Sequence, residues 1–254
     1  MQWTGKLIGG ALGAFLGPVG IAVGALIGHQ YDQAVSRRGA RPVGEQLFCS
    51  TFRVMGHVAK ADGRVTEREI EAARAVMQSL RLDAQQTRAA IDLFTAGKAL
   101  QFDPDAEVAE LRAAARGRPE ILRVFLEIQL RFALRGNDMS GATRERVARV
   151  AAGLGVDAAL FARMEAALRG AGQGMEQGGA SHEARVAAAY RTLEVDATVT
   201  DAELTRAYRR LMSRHHPDKL KANGLPDSML EHAKQRTQAI QESYELLRRQ
   251  RGLA

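Results

Sequence analysis

Cysteine is almost absent from this chain of 254 residues, in which Cys49 stands alone. A single cysteine excludes an intramolecular disulfide and any zinc site built from several cysteines. Aromatic residues make up only 5 % of the chain, and Lys and Arg never form a run longer than two residues. Because no nucleic-acid-binding motif accompanies the formal net charge of +7, the basic character does not indicate a DNA or RNA partner.

Sequence motifs of enzymes are missing as well. The chain has no phosphate-binding loop, dinucleotide fingerprint, nucleophile elbow or zincin helix. The acidic residues Asp62, Glu67 and Glu69 lack the alternating oxygen ligands of a calcium loop, and we interpret them as a solvated helix N-terminus. We therefore expect a protein that is not an enzyme, without catalytic residues, metal site or cofactor.

One long uncharged run stands near the N-terminus, at Leu7–Gly28. As a helix it is about 33 Å long, which is enough to cross the hydrocarbon core of a bilayer. The sequence therefore predicts a single transmembrane helix over 7–28, between a short external N-terminus (1–6) and a basic juxtamembrane linker (29–44). A signal peptide and a buried soluble helix are the alternatives. The weak basic region before the run disfavours the first, and the many glycines disfavour the second.

Glycines in this run recur every four residues on either side of Pro18, at Gly9, Gly13, Gly17, Gly20 and Gly24. Small residues at this spacing let a second helix approach closely, so we expect a homodimer formed through the transmembrane helix, with a monomeric anchor as the alternative. Arg37, Arg38 and Arg41 follow the run, whereas only Lys6 and the terminal amine precede it. By the positive-inside rule, the N-terminus is periplasmic and the bulk of the chain is cytoplasmic.

Residues 45–169 contain an internal repeat, which appears when the chain is shifted by 74 positions. Apolar residues at helical spacing then align: Phe52–Ala59 with Leu126–Ala133, and Val65–Leu80 with Met139–Leu154. Each copy predicts a helix, an acidic loop, a second helix, a short turn and a third helix. We therefore expect an all-α domain of about six or seven helices.

The segment Ala61–Ile70, with the sequence Ala-Asp-Gly-Arg-Val-Thr-Glu-Arg-Glu-Ile, resembles the acidic loop of TerB-like helical domains. This resemblance implies a fold but no biochemical role. Within the segment, Thr66 and Glu69 have the spacing of a capping box, and Asp83 and Asp157 are the predicted N-caps of the third helix of each copy. Residues 170–183 are rich in glycine and small polar residues, which predicts a flexible linker.

The tripeptide His216-Pro217-Asp218 lies between two amphipathic helical patterns. In the first pattern, Asp201–Arg214, apolar residues recur at i, i+3, i+4 and i+7, and in the second, Ser228–Arg249, they recur in alternating steps of three and four. Such patterns let two antiparallel helices bury their apolar faces against each other and hold the tripeptide at the tip of a loop.

This arrangement resembles the J-domain, the module that docks on DnaK-type chaperones and stimulates their ATPase. The resemblance assigns residues 184–254 to a C-terminal J-domain helical hairpin, and it implies that His216, Pro217 and Asp218 contact the chaperone. To the same DnaK-binding surface we assign the basic residues of the first helix and the lysine after the tripeptide, namely Arg206, Arg209, Arg210, Arg214 and Lys219.

The complete order of segments is a transmembrane helix, a TerB-like domain, a linker and a J-domain, all of them α-helical. This order resembles the bacterial membrane-anchored DnaJ-like co-chaperones. It implies a regulator of DnaK in the inner membrane, acting in envelope-stress or capsule-synthesis signalling. The alternative is an envelope- or tellurite-stress adaptor whose TerB-like domain senses a ligand or partner, with the J-domain secondary.

Overall fold

The computed structural model describes residues 41–176 and 182–253. The predicted transmembrane helix, with Gly9, Gly13, Gly17, Gly20 and Gly24, lies outside these ranges. Within them every regular element is an α-helix, which confirms the all-α expectation, and none of these helices has the length and apolar character that a membrane crossing requires. The helices are α1 (Val43–Ala59), α2 (Glu67–Ser79), α3 (Ala84–Gly97), α4 (Pro104–Ala114), α5 (Pro119–Asn137), α6 (Gly141–Gly153), α7 (Ala158–Glu176), α8 (His182–Thr192), α9 (Asp201–His215), α10 (Pro217–Ala222) and α11 (Asp227–Gln250).

The helices α1 to α7 form the central domain and follow the predicted repeat. The first copy is α1, α2 and α3, the second is α5, α6 and α7, and α4 connects them. α1 packs against α3, α4 and α5, and α2 packs against α5. Phe52 in α1 and both Phe125 and Phe132 in α5 are fully buried. Because α5 is buried on nearly all sides, it is the central helix of the domain.

Helix starts in the central domain are fixed by the caps that the sequence predicts. The hydroxyl of Thr66 accepts a hydrogen bond from the Glu69 backbone N–H, and the Glu69 carboxylate accepts one from the Thr66 N–H at 2.8 Å. Asp83 accepts from the backbone N–H of Gln86 at 2.8 Å, and Asp157 accepts from that of Leu160 at 2.7 Å. The capping box and both N-caps are therefore confirmed.

The contact between α1 and α3 depends on two glycines that face each other's backbone. A Cβ added at Gly56 in α1 would lie 2.0 Å from the carbonyl oxygen of Phe94, and one added at Gly97 in α3 would lie 1.8 Å from that of Arg53. Both distances are far below van der Waals contact. The two helices therefore pack at a separation that only glycine permits at these positions.

The predicted linker over 170–183 is partly helical. Helix α7 continues to Glu176 and α8 begins at His182, and the two helices pack against each other. The chain from Pro42 onward forms one compact unit, so the C-terminal helices are docked on the central domain.

The C-terminal helices α8, α9 and α11 enclose a small core of their own. As predicted, α9 and α11 bury apolar faces against each other, and the rings of Tyr208 and Tyr244 stack with their centroids 4.1 Å apart. The N-terminal half of α11 differs from the prediction, because Ala233 and Leu230 pack into the core of the central domain instead. The residues buried in the small core are Ala189, Leu193, Leu204, Leu211, Ile240 and Leu247.

The glycine contact leads to a stability prediction. We expect Gly56→Ala to lower the free energy of unfolding by about 3 kcal/mol, because the methyl group would collide with the Phe94 carbonyl and force α1 away from α3. Gly153→Ala is the matched control, since a methyl group there would meet only a side-chain atom of Val108, at 3.0 Å. Urea unfolding followed by circular dichroism measures both losses. Equal losses in the two variants would contradict the close-packing argument.

Candidate functional site

The His216-Pro217-Asp218 tripeptide forms a corner between two helices. His216 follows the last residue of α9 and is the N-cap of α10, with its ring Nδ1 accepting a hydrogen bond from the Asp218 backbone N–H at 3.3 Å. Pro217 is the first residue of α10, a position where its missing N–H has no cost. The sequence predicted a loop here. A cap-forming residue followed by proline was the signal for the short helix α10.

The side chains of His216 and Asp218 face solvent. They are 52 % and 93 % exposed, and His216 Nδ1 lies 3.9 Å from a carboxylate oxygen of Asp218. The backbone of the corner is held by the two flanking helices, while both polar side chains remain open to a partner. The corner therefore presents an imidazole and a carboxylate in a fixed relative position, which suits recognition of a complementary protein surface.

The predicted basic residues divide into two groups. Arg206, Arg209 and Arg210 are exposed on α9. Arg214 is only 30 % exposed and points toward Glu194, 3.9 Å away, and Lys219 pairs with Glu120 of the central domain at 3.4 Å. The structure thus places the tripeptide next to the basic residues of α9. Two of the predicted basic residues, Arg214 and Lys219, also contact acidic residues of other helices or loops.

A cleft of about 360 Å³ opens beside Arg214, between the C-terminal helices and the central domain. Glu194 lies within it and is approached by three guanidinium groups, those of Arg123 at 3.6 Å, Arg214 at 3.9 Å and Arg236 at 4.0 Å. Burial lowers the pKa of Arg214, and the neighbouring charge of Arg123 lowers it further. Because four arginines and one glutamate line the cleft, it is positively charged. Its lining residues are Arg123, Leu160, Arg163, Glu194, Arg210 and Arg214.

A buried carboxylate, Glu127 of α5, meets the C-terminal helices next to the tripeptide. Its side chain is 3 % exposed, and its two oxygens lie 3.8 Å from Nε2 of His215 and 3.5 Å from Nε2 of His232. Burial alone raises the pKa of Glu127, but its basic neighbours outweigh that effect and lower it, and among them Arg236 carries its charge at neutral pH. Burial lowers the pKa of His215 to about 4 and also lowers that of His232. Arg131, one turn further along α5, also interacts with Glu127. At neutral pH the cluster therefore holds a carboxylate and two guanidiniums beside two neutral imidazoles.

Sequence reasoning missed these acidic partners. Glu127 stands within the apolar run Val124–Leu130, which was the one signal that its side chain is buried. Glu120 and Glu194 carried no local signal, because their partners are distant in sequence. Among the described residues, no group of three or more His, Cys, Asp or Glu side chains has an arrangement that could hold a metal ion.

Comparison with known proteins matches three parts of the chain to family models. Residues 1–38 match the model described as the co-chaperone DjlA transmembrane domain, residues 50–166 match tellurite resistance protein TerB, and residues 188–252 match the DnaJ domain. The co-chaperone protein DjlA of Coxiella burnetii is 42 % identical over 100 % of both chains. Those of Vibrio vulnificus and Escherichia coli are 38 % identical over 89 % of this chain and 90 % of theirs, and 36 % identical over 99 % of both chains. No solved structure matches.

The pKa of His215 predicts how stability responds to acid. Between pH 6.5 and about 4 the unfolded chain binds a proton at His215 that the folded chain does not bind, so stability falls as the pH falls through this window. We expect His215→Gln to reduce the loss of melting temperature between about pH 7 and about pH 5. His182→Gln, at an exposed histidine of α8, is the control and should leave that loss unchanged. Identical pH profiles for the wild type and His215→Gln would contradict the assignment.

Proposed function

This chain belongs to the DjlA family of co-chaperones, and we propose that it is a membrane-anchored regulator that stimulates the ATPase of a DnaK-type chaperone through its J-domain. The observation that carries this proposal is the exposed corner of His216, Pro217 and Asp218 beside the basic face of α9. We propose that the protein itself catalyses no reaction and uses no cofactor, since the corner presents its side chains to a partner instead of enclosing a substrate.

The chemistry of the corner fits a protein partner with arginine and acidic groups. The exposed carboxylate of Asp218 can accept charge-assisted hydrogen bonds from a guanidinium of the chaperone, worth about 1.5–3 kcal/mol. Arg206, Arg209 and Arg210 can attract an acidic patch and raise the association rate. Arg214 and Lys219 belong to the same proposed surface, although each has an acidic neighbour within the chain.

A substitution in the corner tests the proposed function. His216→Gln should abolish stimulation of the chaperone ATPase while the helical content stays unchanged, because the His216 side chain is exposed and makes only a local hydrogen bond. The matched control is His182→Gln, at an exposed histidine that begins α8, and it should retain full stimulation. Single-turnover ATP hydrolysis measures both variants. Undiminished stimulation by a folded His216→Gln protein would refute the proposal.

We propose that the chain crosses the bacterial inner membrane once, with its N-terminus in the periplasm. The match of residues 1–38 to a transmembrane domain supports the anchor, and the arginines at 37, 38 and 41 support the orientation. The chaperone and its ATP would then be on the same side as the J-domain. As the family resemblance implies, we place its action in envelope-stress or capsule-synthesis signalling, with a TerB-like stress adaptor as the second candidate because that match spans residues 50–166.

We also propose that the transmembrane helix self-associates in the lipid bilayer through its glycines. Gly13→Leu or Gly24→Leu should reduce the signal of a transmembrane association reporter, because a large side chain would separate helices that pack through a glycine face. Ala11→Leu and Ala22→Leu add the same bulk between the glycine positions, on the opposite side of the helix, and should retain the signal. A full signal from both glycine variants would contradict association through the glycines, and a wild type without signal would show a monomeric anchor.

A further inference from the structure

We propose that the central domain competes with the chaperone for the J-domain of its own chain. In the docked state described above, α5 and the start of α1 hold the J-domain, and α5 engages Lys219, a cation that the chaperone would contact. The inference rests on the proposed function, because it concerns how the same J-domain surface is made available. The docking surface is defined here as Val43, Gly44, Glu120, Arg123 and Glu127.

The first support is the apolar contact around α10. Leu220, Leu225 and Met229 are at most 3 % exposed, and they belong to the hydrophobic core of the central domain and not to the small core of the J-domain. A methyl group added at Gly44 would lie 2.9 Å from the carbonyl oxygen of Gly224. The segment that follows the tripeptide is therefore packed closely against the central domain.

The second support is the buried Glu127 cluster, whose members come from both sides. Glu127 belongs to the central domain, whereas His215, His232 and Arg236 belong to the J-domain. A carboxylate excluded from water is tolerated only beside complementary groups. The docking surface thus selects the J-domain by charge as well as by shape. His215 also directly precedes His216, so this contact adjoins the proposed chaperone site.

The third support is a set of ion pairs at the edge of the interface. Lys219 pairs with Glu120 of the docking surface, and Arg214 shares Glu194 with Arg123 of the docking surface. Both Lys219 and Arg214 belong to the proposed DnaK-binding set. Glu194 belongs to the J-domain itself, so within this set an acidic group of the central domain holds Lys219 alone. A chaperone that takes Lys219 must therefore displace Glu120.

The rest of the chaperone site remains open in the docked state. His216 and Asp218 are exposed, as are Arg206, Arg209 and Arg210. A chaperone can therefore meet the outer face of α9 first and complete its contacts only when α10 leaves the docking surface. If about one molecule in ten is undocked at rest, full release lowers the concentration of this protein that gives half-maximal stimulation of the chaperone about tenfold.

The test weakens docking from the central-domain side and leaves the J-domain unchanged. Full-length chains in phospholipid nanodiscs carry Glu120→Lys or Glu127→Gln, and stimulation of a DnaK-type ATPase is titrated for each. Both variants should reach half-maximal stimulation at a several-fold lower concentration than the wild type. Glu145→Lys, at an exposed position of α6, repeats the charge change as a control and should behave like the wild type.

A second measurement reports docking itself. Val43 is buried beneath Gly224, so Val43→Cys in a Cys49→Ala background should react slowly with a maleimide in the wild type and faster in Glu120→Lys. Adding the chaperone with ATP should also accelerate the reaction. The labelling rate is also compared between nanodiscs that hold one chain and nanodiscs that hold two. Faster labelling in the single-chain nanodiscs would mean that the J-domain docks on a second copy, which contradicts the proposal.

The outcomes separate this inference from the proposed function. If Glu120→Lys is labelled faster but stimulates the ATPase no better than the wild type, the proposed competition is refuted. The proposed function is unaffected by that result as long as stimulation depends on His216. Labelling that neither variant accelerates would overturn the docking surface. If Glu127→Gln fails to fold, Glu120→Lys still decides, because Glu120 is at the edge of the interface. If neither the wild type nor Glu120→Lys stimulates the ATPase, the proposed function is refuted, and labelling that the chaperone does not accelerate refutes the competition.

Discussion

The joining of the two halves of this structure depends on one buried carboxylate. Glu127 lies on α5, a helix whose other buried side chains from Ile121 to Gly136 are almost all apolar. A charge in such a position strongly destabilises a protein when it has no partner, by about 3–5 kcal/mol. The groups that stabilise Glu127 include Arg236 and two histidines, all from the J-domain. Arg131 of α5 itself also interacts with Glu127, so the J-domain supplies one of the two guanidiniums and both imidazoles around this carboxylate.

What the sequence predicts well is local. The capping boxes and N-caps involve residues three positions apart, and the helix patterns repeat every three or four residues, so each can be derived from a short window. The tripeptide is equally local, because one proline and one cap residue fix the corner at His216. The all-α fold and the position of the candidate site follow from such signals without any knowledge of long-range contacts.

The contacts that the sequence does not predict are those between distant segments. The apolar residues of α11 form one continuous pattern from Leu230 to Leu247, yet they serve two different cores. Periodicity shows that a face is buried but not which surface covers it. In the same way, Arg214 and Arg210 are one helical turn apart and equally basic, but only the fold distinguishes the one that approaches Glu194. The helical pattern therefore assigns every basic residue of α9 to the chaperone-binding surface and does not distinguish Arg214 from the others.

The mixed chemistry of the interface explains how docking can be both specific and reversible. An interface of apolar residues alone resembles a domain core and tends to be permanent, whereas exposed ion pairs alone contribute little and are screened by salt. Here the apolar residues around α10 supply the attraction, and the Glu127 cluster selects the partner. On separation, Glu127 keeps Arg131 on its own helix as a charged neighbour, whereas Arg236 and both histidines leave with the J-domain. The guanidinium that remains beside Glu127 lowers the electrostatic cost of release, which helps an external protein to compete for the J-domain.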